Sequence, residues 1–386
     1  GNIYSEHARY HHLGCSPTRW FRHSGTNPLP LLRDFFFATD WGKPADIPAP
    51  RMVGYLAYEV GQYLESTIEL HSNVDSDEVA LAQYDACLTF DMKSDKRWIT
   101  AISEQALKQL LDQLRNPSKW PDQTPVCGRI SETTTQQEYE KKVSRVRDWI
   151  TKGDVYQVNI SHQFNAPMSP QANPSALYAH LRSRYPAPYG AYFDTGSIQI
   201  LSNSPECFLR VNLDPSSRSV STWPLKGTRP RSESATQLQN DPKDRAEHVM
   251  IVDLERNDLG RVAQTGSVHV DNLLGIVSYA TVHHLESRID ANLQPGVDLV
   301  DILQATFPGG SITGAPKIRA MQIISEMEQE TRGVYCGALG AIAYGGDISV
   351  WNIPIRTGVI SDGQLRFRVG GGVVMDSDPL GEYNET

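Results

Sequence analysis

Cysteine is scarce and dispersed: 5 of 386 residues, at Cys15, Cys87, Cys127, Cys207 and Cys336, with no Cys-x-x-Cys pair. Neither a disulfide framework nor a cysteine-based zinc site is expected from that spacing, and the chain reads as one kept in a reducing, cytoplasmic compartment. Also missing is any apolar run of the roughly 18–20 residues that a membrane span requires, and no charged-then-apolar signal segment opens the sequence. Basic residues are in deficit. The 36 Lys and Arg against 45 Asp and Glu leave a net charge of −9, a field that disfavours nucleic acid or an anionic membrane as the main partner. Internal repeats and low-complexity tracts are lacking too. The first residue is Gly1 rather than Met, so a clipped N-terminus is expected.

What is present is a patterned, folded chain. Apolar residues make up 39% and charged residues 21%, values that fit a globular protein and not a disordered one. At roughly 150 residues per domain the length allows two to three domains, or one large unit. Residues 112–136 gather Pro, Asn, Ser and Thr between patterned segments, which places the main boundary near Ser131. Residues 1–130 then form an N-terminal subregion, integrated into the same fold as a larger region, 131–386.

Beyond that boundary Tyr139, Val143, Val146 and Ile150 recur at helical spacing and mark the apolar face of a helix that Gly153 can end. Tyr156, Val158 and Ile160 alternate as one face of a strand over 156–164, and Asn173-Pro174-Ser175 opens a helix that stops before Pro186. Two hairpins follow, turning at Thr195-Gly196 and at Pro215-Ser216-Ser217. Strands joined without intervening helices pair antiparallel, which excludes a doubly wound parallel sheet. Helices return at about 242–258 and 316–329, the second with Pro316 in its first turn, and the tail is glycine-rich and β-like. The expected class is α+β, with antiparallel sheets carrying helices on their outer faces.

Several residues could carry chemistry. Glu247 shares a helix face with Met250, Ile251 and Leu254, and a carboxylate on an apolar stripe needs a partner. A salt bridge or cap at the rim of the core would explain it; so would Mg²⁺, which takes hard oxygen donors. The closing segment places Asp376, Asp378, Glu382 and Glu385, readable as a solvated terminal turn, after Gly370-Gly371-Gly372. A β-bulge is the ordinary reason for glycine within a strand; the alternative is backbone N–H groups left open to an anion. In PLKGTRPR (224–231), Lys226 ends a strand before a glycine turn and two arginines, and a charged surface turn is the plain reading. The functional reading is a lysine made nucleophilic by burial and neighbouring cations, with Glu206 of SNSPE as its acid or base. FPGGSITGAPKIRAM (307–321) joins a glycine-rich turn to a helix start and could cradle a carboxylate. His284 reads as a hydrogen-bonded structural imidazole, and Arg356 as a two-point clamp for a carboxylate if it points inward.

In order along the chain, PLKGTRPR, KDRAEHVMIVDLERNDLGRVA, FPGGSITGAPKIRAMQIISEME and GGGVVMDSDPLGEYNET resemble the signatures of the chorismate-utilising enzymes. The resemblance is strong over 131–386 and fainter in ARYHHLGCSP and VGYLAYEVGQYLE. It implies the family's fold, two stacked antiparallel sheets with helices outside. Aminodeoxychorismate synthases have lysine in the Pro-x-Lys-Gly-Thr motif where anthranilate synthases have alanine. Lys226 therefore implies the branch that aminates chorismate on the way to para-aminobenzoate and folate. Gln157 stands where isochorismate and salicylate synthases use a water-activating lysine, and a neutral amide cannot serve as that base. The resemblance also implies that Lys226 attacks carbon 2 of the ring, that Glu206 shuttles protons, and that Glu247 and Glu382 bind Mg²⁺. Arg356, Tyr335 and the amides of Gly371 and Gly372 would hold the enolpyruvyl carboxylate, with Ser311 and His284 lining the ring pocket. Ammonia would come from a glutamine amidotransferase partner, since no Gly-x-Cys-x-Gly turn surrounds any cysteine here. Against the family pattern both ends are expected to be trimmed, by a first strand and a last helix. The rival readings are an anthranilate synthase component I and a non-catalytic chorismate-binding subunit.

Overall fold

The computed structural model of the chain describes residues 8–71, 77–115 and 127–386. Part of the segment 112–136 that suggested a boundary lies outside the described residues. The helix anticipated after it spans Gln136–Lys152 and buries Tyr139, Val143 and Val146. Thr135 and Glu138 cap its start reciprocally, and Gly153 ends it at φ 81°, a left-handed conformation that costs glycine little. The Tyr139 hydroxyl donates to the Ile160 carbonyl at 3.2 Å and ties the helix to the strand that follows. That strand, Gln157–Pro167, begins one residue later than the alternation suggested. Val158 and Ile160 are fully buried, but Tyr156 precedes the strand and is 68% exposed. Its N–H bonds the Ala315 carbonyl while its ring leaves the sheet. The helix Pro174–Arg184 and both hairpins form, Tyr189–Asp194 with Gln199–Ser204 and Cys207–Asn212 with Ser219–Trp223.

Among the described residues the strands build sheets of ten, seven and three strands. The ten-stranded sheet starts at the edge strand Leu225–Pro230, passes through Val282–Asn292, Ser219–Trp223 and Cys207–Asn212, and continues through Ile348–Asn352 and Ala338–Ala343. It ends on Pro50–Leu56, Val79–Gln83 and Arg19–His23, so the segment before residue 131 adds strands to this same sheet. The seven-stranded sheet pairs Gln157–Pro167 with Gln364–Val373 and continues to Thr357–Ser361 and Gln199–Ser204. One hydrophobic core joins the two: Val158, Ile160 and Val373 pack in the same cluster as Leu209, Val211 and Ile289 and the helical Tyr139 and Ile324. The class is α+β with stacked antiparallel sheets.

Two connections between the sheets run side by side. The chain leaves the seven-stranded sheet at Ser204 and enters the ten-stranded sheet at Cys207; it returns between Asn352 and Thr357. Main-chain bonds join these passages. Ile353 N–H bonds the Glu206 carbonyl at 3.2 Å, and Asn203 N–H bonds the Arg356 carbonyl at 3.1 Å.

Two helices also differ from expectation. Pro242–Gly260, capped by Asp241, buries His248, Ile251, Val252, Glu255, Asp258 and Leu259. Its buried stripe is therefore rotated by about one residue from the expected one, and Glu247, Met250 and Leu254 lie half-buried at its edge. In Lys317–Glu328, Pro316 is the cap in extended conformation (ψ 141°) and not part of the first turn. No helix among the described residues is long and apolar enough to cross a membrane.

Candidate active site

Lys226 lies on the edge strand Leu225–Pro230, so the surface-turn reading does not hold. The ladder slips between Lys226 and Thr228, where Gly227 takes φ 62°; a Cβ there would come 2.8 Å from Leu238 Cδ1. A bulge of this kind re-aims a side chain. The Lys226 ammonium reaches the Glu247 carboxylate, Nζ to Oε1 at 2.9 Å, with side chains only 11% and 15% exposed. The nearest charge to the lysine is thus an anion and not the neighbouring arginines expected from sequence; Arg229 is occupied by Asp241 and Asp244. Gln157, 1% exposed, donates from Nε2 to the same Glu247 oxygen at 3.0 Å. Burial opposes ionisation of Glu247, but Lys226, Lys243 and Gln157 outweigh it and hold its carboxyl below the usual range.

Glu206 sits on the first passage between the sheets and is 2% exposed. Its Oε1 accepts the Leu225 N–H at 3.3 Å, one residue before the lysine. Burial pushes its carboxyl up to about 6, with Ser311, Leu225 and Lys226 pulling the other way. Ser311 belongs to the short turn Gly310–Ile312; its buried hydroxyl is near enough to Glu206 to be felt electrostatically but meets no partner at hydrogen-bond geometry among the described residues.

On the second passage Arg356 adopts φ 52°, a sparsely populated conformation for a side-chain-bearing residue. It borders a cavity of about 240 Å³ with Tyr185, Asn203, Pro205 and Tyr279. Its Nη2 lies 3.4 Å from His284 Nε2. His284 Nδ1 is 2.9 Å from the Gly227 carbonyl, which assigns the proton to Nδ1 and leaves Nε2 as the acceptor toward Arg356. Burial, followed by the charges of Arg356 and His283, brings His284 down to about 4 despite the bond to Gly227, so the imidazole is neutral.

The three glycines lie in a regular ladder, Gly370 opposite Ser161, Gly371 opposite Ile160 and Gly372 opposite Asn159, so the bulge reading is overturned. A Cβ on Gly372 would lie 2.0 Å from Gln157 Nε2 and 3.1 Å from Glu247 Oε1, and one on Gly371 would lie 3.1 Å from Glu382 Oε2. Glu382 is carried by the short helix Pro379–Asn384, where a solvated turn was expected, and accepts the Ser377 hydroxyl at 2.6 Å. Burial raises its carboxyl and the charges of Glu385 and Glu247 add to this, while Ser377 and Lys243 oppose it. Two carboxylates of separate elements thus flank a strip of backbone without side chains, close enough for Glu382 to feel the charge of Glu247. Hard oxygen donors whose charges repel one another there fit a Mg²⁺ ion.

Tyr335 is placed elsewhere. It lies in the buried cluster around Arg332, whose guanidinium is 5.9 Å from the ring, and does not line the Arg356 cavity. Sequence reasoning missed Glu255, whose Oε2 accepts the Thr222 hydroxyl at 2.8 Å, and the buried Lys317–Asp258 pair. The helical spacing of Glu255 and Asp258 from His248 was the available signal. It missed Glu286 as well.

The stacked sheets thus bring a lysine, a buried acid and two further carboxylates into one region, with an arginine and a histidine beside a cavity. The chain belongs to the chorismate binding enzyme family, whose model matches residues 4–386. It is 35% identical over 356 residues to aminodeoxychorismate synthase component 1 of Bacillus subtilis (strain 168), covering 86% of this chain and 74% of that protein. It is 36% identical over 396 residues to anthranilate synthase component 1 of Pseudomonas putida, covering 94% of this chain and 78% of that one. The crystal structure of anthranilate synthase component I from Streptococcus pneumoniae TIGR4 superposes with a TM-score of 0.86 at 30% identity, covering 100% of this chain and 92% of that chain.

Proposed function

We propose that this enzyme is an aminodeoxychorismate synthase component I, which converts chorismate and ammonia to 4-amino-4-deoxychorismate. The observation that carries the reading is the lysine amine itself, turned by a strand bulge into the cleft beside Glu206 and Glu247. Once its ammonium has released a proton to solvent, Lys226 Nζ attacks carbon 2 of the ring; the double bonds shift and the carbon 4 hydroxyl departs as water with a proton from Glu206. A carboxyl raised to about 6 is suited to giving and retaking a proton near neutrality. Ammonia then attacks carbon 4, the double bonds return, and the lysine leaves carbon 2. Position and face of the new amine are thereby preserved.

Arg356, with neutral His284 behind it, would supply the charge for the enolpyruvyl carboxylate, and whichever N–H of Gly371 and Gly372 points away from the paired strand would serve the same group. Ser311 and His284 would line the ring. Tyr335 would support this end through the chain, since Cys336 N–H bonds the Pro354 carbonyl. Glu247 and Glu382 would hold Mg²⁺, which neutralises the ring carboxylate when bound. Gln157, being a neutral amide, offers no base to activate water at the cleft, and the reaction is amination without hydration. A glutamine amidotransferase subunit in the cytoplasm would deliver the ammonia.

Relatives named for anthranilate synthase match equally well, so the second reading is an anthranilate synthase component I. Turnover of chorismate with Mg²⁺ and ammonium chloride separates the two. Aminodeoxychorismate is expected by mass, para-aminobenzoate only after a lyase is added, and no anthranilate fluorescence. Mass spectrometry without ammonia should find a substrate adduct on Lys226, and Lys226→Ala should lose both adduct and roughly a thousandfold in rate. Anthranilate as the product, or full ammonia-dependent turnover in Lys226→Ala, would sink the proposal.

A further inference from the structure

One acid beside the strand that carries Lys226 has no task in the amination chemistry. Glu286 is half-buried on the strand Val282–Asn292 and makes no hydrogen bond or ion pair with any described residue. It stands directly opposite Leu225 in the ladder, and the Leu225 N–H is the donor that holds Glu206. Residues two apart on a strand share a face, so Glu286 lies on the face of His284, which meets Arg356. Tyr279, on the cavity wall, feels the charges of Glu286, Arg356 and Glu206 together. One phenol therefore has the clamp, the acid and the idle carboxylate around it.

A carboxylate partly removed from water without a partner is costly, and a small cation relieves that cost. We infer that Glu286 receives the nitrogen substrate as ammonium ion, takes one of its protons, and passes that proton to Glu206. This rests on the proposed amination. The protons balance: Glu206 gives one to the departing hydroxyl, which leaves as water. Ammonium gives one to Glu286 and becomes the ammonia that attacks carbon 4. Proton transfer from Glu286 to Glu206 restores both acids, and the product carries its amine as the ammonium form.

The other titratable groups within reach of the Glu286 charge are Tyr189 of the second sheet, Cys207 and Tyr279; His284 shares its face two residues away, and Lys226 stands opposite the adjacent Leu285. Burial and then the charge of Glu206 push Glu286 up to about 7, close to the value of about 6 for Glu206, so transfer between them is nearly level.

The test compares the intact enzyme with Glu286→Gln in chorismate, Mg²⁺ and ammonium chloride across neutral pH. In the unaltered enzyme kcat/KM for total ammonia should level off above the Glu286 value near 7. In the variant the KM for ammonia should rise about tenfold or more with the chorismate KM unchanged. Its kcat/KM should then climb about tenfold per pH unit, because only free ammonia is used. An unchanged ammonia KM and pH profile would overturn the inference. Adduct formation on Lys226 without ammonia checks that the variant is folded. If it is not, Glu286→Met, neutral and of similar volume, carries the same comparison. Absence of adduct and turnover in the unaltered enzyme would instead sink the amination reading itself.

Discussion

At the scale of single residues, the site is governed by how far each carboxyl is removed from water and what stands beside it. Glu247 has a lysine and remains ionised; Glu206 has one backbone donor, the Leu225 N–H, and is raised to about 6; Glu255 has one hydroxyl and the charge of Glu206 against it. Burial first, and then Glu206, push Glu255 up to about 8. A folded-state value above the ordinary one means that the stability linked to Glu255 is complete in acid and is lost as pH rises toward 8. Glu255→Gln should therefore match the unaltered protein near the ordinary glutamate range and be the more stable of the two at alkaline pH. The gap should grow by at most about 1.4 kcal/mol per pH unit in between. Urea unfolding at the two ends of that range reads it directly, and a variant no more stable at high pH would contradict the assignment.

At the scale of elements, much is legible in the order of residues alone. The helix Gln136–Lys152 announces itself through spacing, cap and terminal glycine, all of which are local signals. The helix Pro242–Gly260 is equally plain, but its buried face is not, because it is lined by His248, Glu255 and Asp258, polar residues that only their tertiary partners permit inside. Tyr156 falls outside its expected strand because alternation cannot say where a ladder starts. Lys226, Glu206 and Arg356 can be nominated from sequence. Their convergence cannot, since it depends on two passages between sheets and a bulge. Glu286 carries no motif; its meaning lies in the residue across the ladder.

The Gly370–Gly372 segment gives a prediction at this scale. Gly370→Ala would set a Cβ 2.1 Å from the Ile160 carbonyl oxygen, a backbone atom, and should cost about 1–3 kcal/mol of stability. Gly372→Ala instead meets the end of the Gln157 side chain and should spare most stability while disturbing the Gln157–Glu247 contact. Its loss should fall on kcat/KM for chorismate, about tenfold. Thermal melts beside kinetics separate the two, and equal loss of stability in both would refute the distinction.

At the scale of the whole molecule, the seven-stranded sheet is anchored to the helix Lys317–Glu328 through buried charges. Glu328 accepts Ser161 N–H and the guanidiniums of Arg332 and Arg368, and Arg332 also donates to the carbonyls of Asn159 and Ile312. Burial works against Glu328, yet the two arginines outweigh it and keep its carboxyl below the usual range. Arg332→Met would leave that carboxylate short of a partner and should lower unfolding stability by about 3–5 kcal/mol. A loss under about 1 kcal/mol in denaturant unfolding would show that Arg368 alone suffices.

Because Glu206 and Arg356 are carried on neighbouring threads stitched to each other by main-chain bonds, the proposed proton donor and the proposed carboxylate grip cannot drift apart independently. The gap between them works as a fixed gauge. A ligand seated by its acidic arm has its leaving group set at one distance from the acid, and an analogue with a longer arm would bind with that group out of reach.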